Sequence, residues 1–296
     1  MQRFMFLIVS ACWLAACSSV PGVGGAKDIV AAGGDPAAER GMSQVSLTVL
    51  DCGELRFDTV LAFGLRDEDT AVRQMFVPCY LIDHPSGKLL WDAGLPPAIV
   101  GQGWVPLQPG AEMRYAVGLV EQLASMQITP EEIDYIALSH HHFDHAGSAN
   151  MFSASTLLVQ RPEYVAAYEN ASANPVFDYT LYNELANAPR QLLDGDHDVF
   201  GDDSVRILNL PGHTPGHQAL HVRLAETGDL VLSGDLYHFR ASRRLRSVPE
   251  FNTDSAQTLA SMARLEAYLQ THGATLWIQH DQALAETLRL APHAYF

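Results

Sequence analysis

From Val45 onward, apolar and polar positions follow two alternating periods. SLTVLDCGELRF (46–57) reads as a strand, as do MFVPCYLID (75–83) and KLLWDAGL (88–95), a pair closed by the turn HPSGK. AEMRYAVGLVEQLASMQ (111–127) carries Met113, Val117, Val120, Leu123 and Ala124 at helical spacing and predicts an amphipathic helix. Thr129-Pro130-Glu131-Glu132 caps a short helix, with proline in its first turn. IDYIALSH (133–140) is an almost unbroken apolar strand that runs into histidines. STLLVQ, SVRILNLPG, QALHVRL, DLVLSGD and ATLWIQHD read as further strands, RPEYVAAYEN and the stretch from Thr253-Asp254 to about Gln270 as helices. Strands and helices in this alternation predict an α/β architecture, with no repeat and no transmembrane span.

Composition narrows the function classes. Of 296 residues 48% are hydrophobic and 9% aromatic, enough for a sizeable core. Lysine and arginine number 18 against 34 aspartates and glutamates, a formal charge of −16. That balance argues against nucleic acid, whose binding runs on cationic side chains. Arg240, Arg243, Arg244 and Arg246 form one basic cluster, which reads as a solvated loop.

The region before Val45 reads differently. MQRFMFLIVSACWLAAC has Arg3, an apolar run from Phe4 to Ala16, then Cys17. The run is too short for a bilayer, which takes about 20 residues, and suits a signal peptide. Leu14-Ala15-Ala16-Cys17 resembles the lipobox of bacterial lipoproteins, which implies lipidation at Cys17; with Ser18 next, it implies tethering to the outer membrane from the periplasmic side. Residues 18–44 have the Gly/Ala/Pro-rich composition of a flexible linker, with a reach of roughly 30 Å. The folded part is therefore expected over 45–296. Cys52 and Cys79 lie in strand-like runs; an exported protein could join them, and the plainer reading is two buried small apolar side chains.

The chemistry concentrates in HHHFDH, residues 140–145, four histidines and an aspartate where neither a core nor a solvated surface needs them. His140 and His142 lie two apart, so their rings can face one side. His213, Asp235 and His280 end other strands, and strand C-termini of layered α/β folds converge on one edge. With Asp144 and His145 that makes seven candidate ligands, too many for one tetrahedral zinc but suited to two metals that share a carboxylate.

HHHFDH matches the HxHxDH signature of the metallo-β-lactamase superfamily, which the chain resembles from about residue 45 to its end; PGHTPGHQAL, SGD and QHD supply later ligands in the expected order. Within it the chain is most similar to N-acyl homoserine lactonases, through LSHHHFDHAG, LLVQRPEYVAA, PGHTPGHQAL and the C-terminal HD. The resemblance implies a single-domain, four-layer αββα sandwich. It implies two divalent metals, His140, His142 and His213 on the first, Asp144, His145 and His280 on the second, Asp235 and a hydroxide between them. Zinc suits the histidines; iron, manganese and cobalt also suit a mixed nitrogen and oxygen set. It further implies attack of that hydroxide on the lactone carbonyl, Asp144 as proton carrier, and Asp92 orienting a ligand histidine. The best-known members carry a tyrosine shortly after the bridging aspartate. Here the run Asp235-Leu236-Tyr237-His238-Phe239 is one residue out of step, so Tyr237 or His238 takes its place, with Tyr237 preferred.

The other histidines have plainer readings. His217 holds its loop, His141 points away from the metals, and His84, His197, His221, His272 and His293 lack partner spacing. The long loops 58–72 and 96–110, with Leu61, Phe63, Ile99 and Trp104, suit an acyl-chain channel, a cap on the core or a face against a second copy of the chain. Two alternatives stand beside the lactonase. One is another hydrolase of the fold, a glyoxalase II-like thioesterase or an aryl esterase; only sixteen residues follow His280, which leaves no added helical module for a glutathione-like substrate. The other is a zinc-binding lipoprotein without catalysis, whose site would be saturated by protein ligands.

Overall fold

The computed structural model describes residues 44–171 and 177–296, so the expected signal segment, the lipobox at Cys17 and all of the linker but Gln44 lie outside the described residues. Strand formation follows the two-residue alternation. The first sheet contains β1 (Ser46–Phe57), β2 (Gln74–His84), β3 (Gly87–Trp91), β4 (Val105–Gln108), β5 (Ala111–Arg114), β6 (Tyr135–Ala137), β7 (Thr156–Gln160) and β8 (Arg190–Leu193). The second contains β9 (His197–Asp198), β10 (Val205–Asn209), β11 (Gln218–Leu224), β12 (Gly228–Leu232) and β13 (Thr275–Trp277). Their orders are β4-β5-β1-β2-β3-β6-β7-β8 and β13-β12-β11-β10-β9, with β14 (Ala294–Tyr295) returning to pair β1. The helices are α1 (Leu119–Ser125), α2 (Phe143–Ala146), α3 (Arg161–Tyr164), α4 (Arg240–Leu245), α5 (Ser255–His272) and α6 (Gln282–Ala285).

Alternate residues of each strand feed different cores. Leu47, Val49, Tyr80 and Ile82 of the first sheet meet Val205, Ile207, Leu220, Val222, Leu230 and Leu232 of the second, which glues sheet to sheet. The opposite faces are covered by helices: Met75, Val77 and Leu81 pack under Leu119, Leu123 and Tyr164, and Leu208, Ala219 and Val231 under Met262, Leu265 and Leu269 of α5. The result is the expected αββα layering. Asp254 caps α5 by accepting from the Gln257 amide at 2.9 Å, and Gly273 ends it in the left-handed region.

Three expectations give way to tertiary pairing. The helix expected over 111–127 is split: β5 takes the first part, with Met113 opposite Leu55, and α1 starts only after Gly118. An unpaired sheet edge outweighs helical periodicity there. The arginine cluster is a helix, α4, and not a loop, although its four guanidiniums are exposed as expected; Arg243 binds Glu266 at 2.8 Å and Arg240 pairs with Asp281. Cys52 and Cys79 are buried, as expected, but joined in a disulfide: β1 and β2 are neighbours, and an irregularity between Asp51 and Glu54 sets their Cα atoms 5.7 Å apart.

Candidate metal centre

The histidine motif is set where β6 ends. Asp92, just past β3 and at positive φ, accepts the Ser139 amide at 2.6 Å, which aims the following residues across the sheet edge. α2 then lies against the 93–96 turn: the Ala93 amide donates to the His145 carbonyl at 2.7 Å, and the Gly147 amide to that of Gly94 at 2.7 Å. A Cβ on Gly147 would come within 2.3 Å of the Leu95 backbone, so only glycine allows this approach. Asp235 follows Gly234, whose φ of 52° and closeness to His217 again demand glycine. The Asp235 amide donates to His217 Nε2 at 2.9 Å, while His217 Nδ1 meets the Leu210 carbonyl at 2.9 Å.

These segments bring seven side chains together. His140, His142, His213 and Asp235 form one buried group, and Asp144, His145 and His280 another. His213 Nε2 lies 3.1 Å from His140 Nε2 and 3.2 Å from His142 Nδ1; the Nε2 atoms of His145 and His280 are 3.1 Å apart. Asp235 sits between the groups. Its Oδ1 is 3.1 and 2.9 Å from His145 and His280, its Oδ2 3.4 and 3.6 Å from His213 and His140.

The donor set fits metal ions. Nδ1 of His145, His213 and His280 faces oxygen acceptors, Asp92 Oδ2 at 2.9 Å, Asn252 Oδ1 at 2.9 Å and the Phe76 carbonyl at 2.7 Å. Those contacts place the proton on Nδ1 and direct each Nε2 lone pair to the centre. Asp235 Oδ1 is buried without a hydrogen-bond donor. Burial pushes His142 down to about 4 and holds His140 and His213 well below the usual imidazole range, so they are neutral. Burial opposes charge on His145 and His280 too, but the surrounding carboxylates together outweigh it and raise both, Asp235 and Asp144 for each and Asp92 also for His145. It likewise opposes charge on Asp235, which the surrounding imidazoles nevertheless keep well below the ordinary carboxylate range. Convergent lone pairs around an ionised carboxylate call for positive charge, which two metal ions would supply.

The two residues after Leu236 part ways. The Gly234–Leu236 turn is followed by extended backbone at Tyr237, so neighbouring side chains leave on opposite faces. Tyr237 packs among Leu208, Met262 and Leu265 and donates its hydroxyl to Glu266 at 3.0 Å, away from the site, which corrects the preference for it. His238 turns inward, with Nε2 3.0 Å from Asp235 Oδ2. Asp92 contacts His145 as expected, and His141 points away, its Nε2 3.1 Å from the Tyr168 hydroxyl. Sequence reasoning gave no role to Asn252, Ser139, Gln279 or Glu163. Gln279 accepts from Trp91 Nε1 and the Gly234 amide and donates to Asp92. A glutamine in an apolar strand beside a ligand histidine is the signal that was there to read.

The groups floor a cleft of about 450 Å³. His142, Asp144, Asp235 and His238 line its base; Leu55, Phe57, Phe63, Met75, Leu107 and Phe251 give apolar walls. Both long loops contribute, but of the four residues singled out only Phe63 does so. Phe63 faces the cleft, Ile99 is in the core, Leu61 is exposed, and Trp104 lies under the guanidiniums of Arg56 and Arg114.

Residues 72–271 match the family model of the metallo-beta-lactamase superfamily. This chain belongs to that superfamily, and it is a hydrolase of it. Relatives include the N-acyl homoserine lactonase AttM of Rhizobium radiobacter, 28% identical over 86% of this chain and 100% of its own length. An N-acyl homoserine lactonase of a Bacillus species is 31% identical over 69% of this chain and 80% of its own. Among solved structures, an N-acyl homoserine lactone hydrolase with N-hexanoyl-L-homoserine at its catalytic metal centre superposes with a TM-score of 0.73 at 25% identity, covering 86% of this chain and all of that one.

Proposed function

We propose that this protein hydrolyses the ring ester of N-acyl homoserine lactones, and so quenches quorum signals, with His140, His142, His213, Asp235, Asp144, His145 and His280 holding two divalent ions, zinc foremost. The carrying observation is Asp235 shared between two ligand groups at the foot of an apolar-walled cleft; kinship to lactonases over most of the chain supports it. Two divalent cations, when bound, supply Lewis acidity at that floor. Asp144 lines the cleft and is placed to carry a proton to the departing ring oxygen. His238, in the position the family gives to tyrosine, offers a ring N–H to the substrate oxygens. Phe57, Phe63 and Phe251 exclude water and pack the acyl chain.

Export and lipid tethering through Cys17 to the periplasmic face of the outer membrane belong to the same proposal. The apolar run before Cys17 supports them, and so does the Cys52–Cys79 disulfide, a bond that persists in oxidising compartments.

The test is acid release in weak buffer from C6 and C12 homoserine lactones, a δ-lactone, S-lactoylglutathione and a β-lactam, before and after metal stripping. Metal-dependent opening of the homoserine lactones well above the rest is the expected result. A preference for the thioester or another ester would move the substrate and keep the hydrolase. No turnover of any, with metal retained, would sink the proposal and favour a metal-binding lipoprotein.

A further inference from the structure

Glu163, in α3, is buried and touches neither ligand group of the metal centre nor the cleft. Its two carboxylate oxygens reach two different loops. Oε1 accepts the amide of His141 at 3.1 Å, the peptide between His140 and His142. Oε2 accepts the amide of Gly216 at 2.8 Å, three residues beyond His213 and next to His217, which in turn accepts the Asp235 amide. α3 and the second loop are in close contact: a Cβ on Gly216 would stand 2.6 Å from the Glu163 backbone nitrogen. His140 and His142 thus flank one Glu163 contact, His213 lies three residues before the other, and Asp235 is joined to the latter's neighbour His217. Among the described residues no hydrogen bond of Glu163 or His217 leads to His280, and Asp144 and His145 follow on α2, which the 93–96 turn holds separately.

We propose that Glu163 is a positioning residue that holds the His140–His142 loop against the His213–His217 loop, and so sets the metal affinity of the first group selectively. A glutamine can accept only one of the two amides, since its NH₂ faces the other donor. An ionised carboxylate accepts both, and burial, which opposes its charge, is outweighed by His141, Thr214 and the Gly216 amide together, so it stays below its ordinary range. The inference rests on the first group being a metal site, as proposed above.

The experiment titrates Co²⁺ alone into metal-depleted full-length protein, following visible absorption and competing with a chelator. Wild type is expected to take two equivalents. E163Q should take one with unchanged affinity and the other about 10–100-fold more weakly, the usual effect of removing a partner behind a ligand. Lactone turnover in E163Q should recover at high metal concentration with KM unchanged. Equal weakening of both equivalents in E163Q, or no weakening, overturns the proposal. Should E163Q fail to fold, E163D keeps both acceptors at shorter reach, and the same selective weakening is expected of it; equal or absent weakening there also overturns it. Because Co²⁺ is the only probe of the titration, absence of lactone turnover would sink the functional reading without touching this one.

Discussion

The floor and the walls of the cleft are built on opposite terms. On the floor each imidazole is buried and most are tied by the nitrogen away from the centre: His145 to Asp92, His213 to Asn252, His280 to the Phe76 carbonyl. The walls are apolar side chains on loops and strand edges, and they grade into solvent: Phe63 is 6% exposed, Phe251 37%. A ligand that moves costs metal, whereas a wall residue that changes only reshapes a surface. Chemistry is therefore placed in an over-determined network and substrate preference in replaceable contacts.

That contrast makes graded predictions. The largest effect is expected from chelation. Loss of several kcal/mol of charge stabilisation should cut lactone hydrolysis at least about 1,000-fold, while far-UV circular dichroism stays near that of the untreated protein, because the sheet-to-sheet core does not involve the ligands. Collapse of the circular dichroism would show that floor and core are not separable. Next comes Asp92→Asn, since Asp92 accepts from Ser139, His145 and Gln279 at once. It should weaken metal binding about 10–100-fold, read by chelator competition, and lower turnover at limiting metal.

A wall substitution should behave otherwise. Phe251→Ala is expected to raise KM for long-chain lactones roughly tenfold, the order of 1.4 kcal/mol for lost apolar contact, with kcat within twofold. A fall in kcat at constant KM would place Phe251 with the floor. The smallest kinetic effect belongs to the pair Cys52→Ser and Cys79→Ser. Removing that cross-link over a separation of 27 residues should cost roughly 3 kcal/mol and several degrees of Tm by the chain-entropy argument, with initial rates at 25 °C unchanged.

How legible each region was follows from the range of the interactions that make it. His140, His142, Asp144 and His145 lie within six residues, and a local turn is enough to gather them. His213, Asp235 and His280 could be matched because each ends an apolar strand and comes in a recognisable order. The choice between Tyr237 and His238 could not be made from residue type. It depends on where the Gly234–Leu236 turn stops and extended backbone begins, one residue deciding which side chain meets Glu266 and which meets Asp235. Glu163 and Asn252 were silent for a related reason: their partners lie 22 to 53 residues away, and only packing shows that those backbones meet.

By itself, then, the sequence determined the layering, through strands whose alternate residues are apolar on two faces, and the ligand types, through histidines and aspartates that no core would otherwise hold. It also determined a formal charge of −16. Tertiary structure decided that β5 would leave a helical pattern to pair with β1, that Cys52 would bond Cys79, and that Phe63 rather than Leu61 would face the cleft. The physical reason is the same in each case. Periodicity and residue type record the local free energy of a segment, whereas strand register, and the side on which a side chain emerges, are fixed by contacts with distant segments that exist only once the sheets have formed.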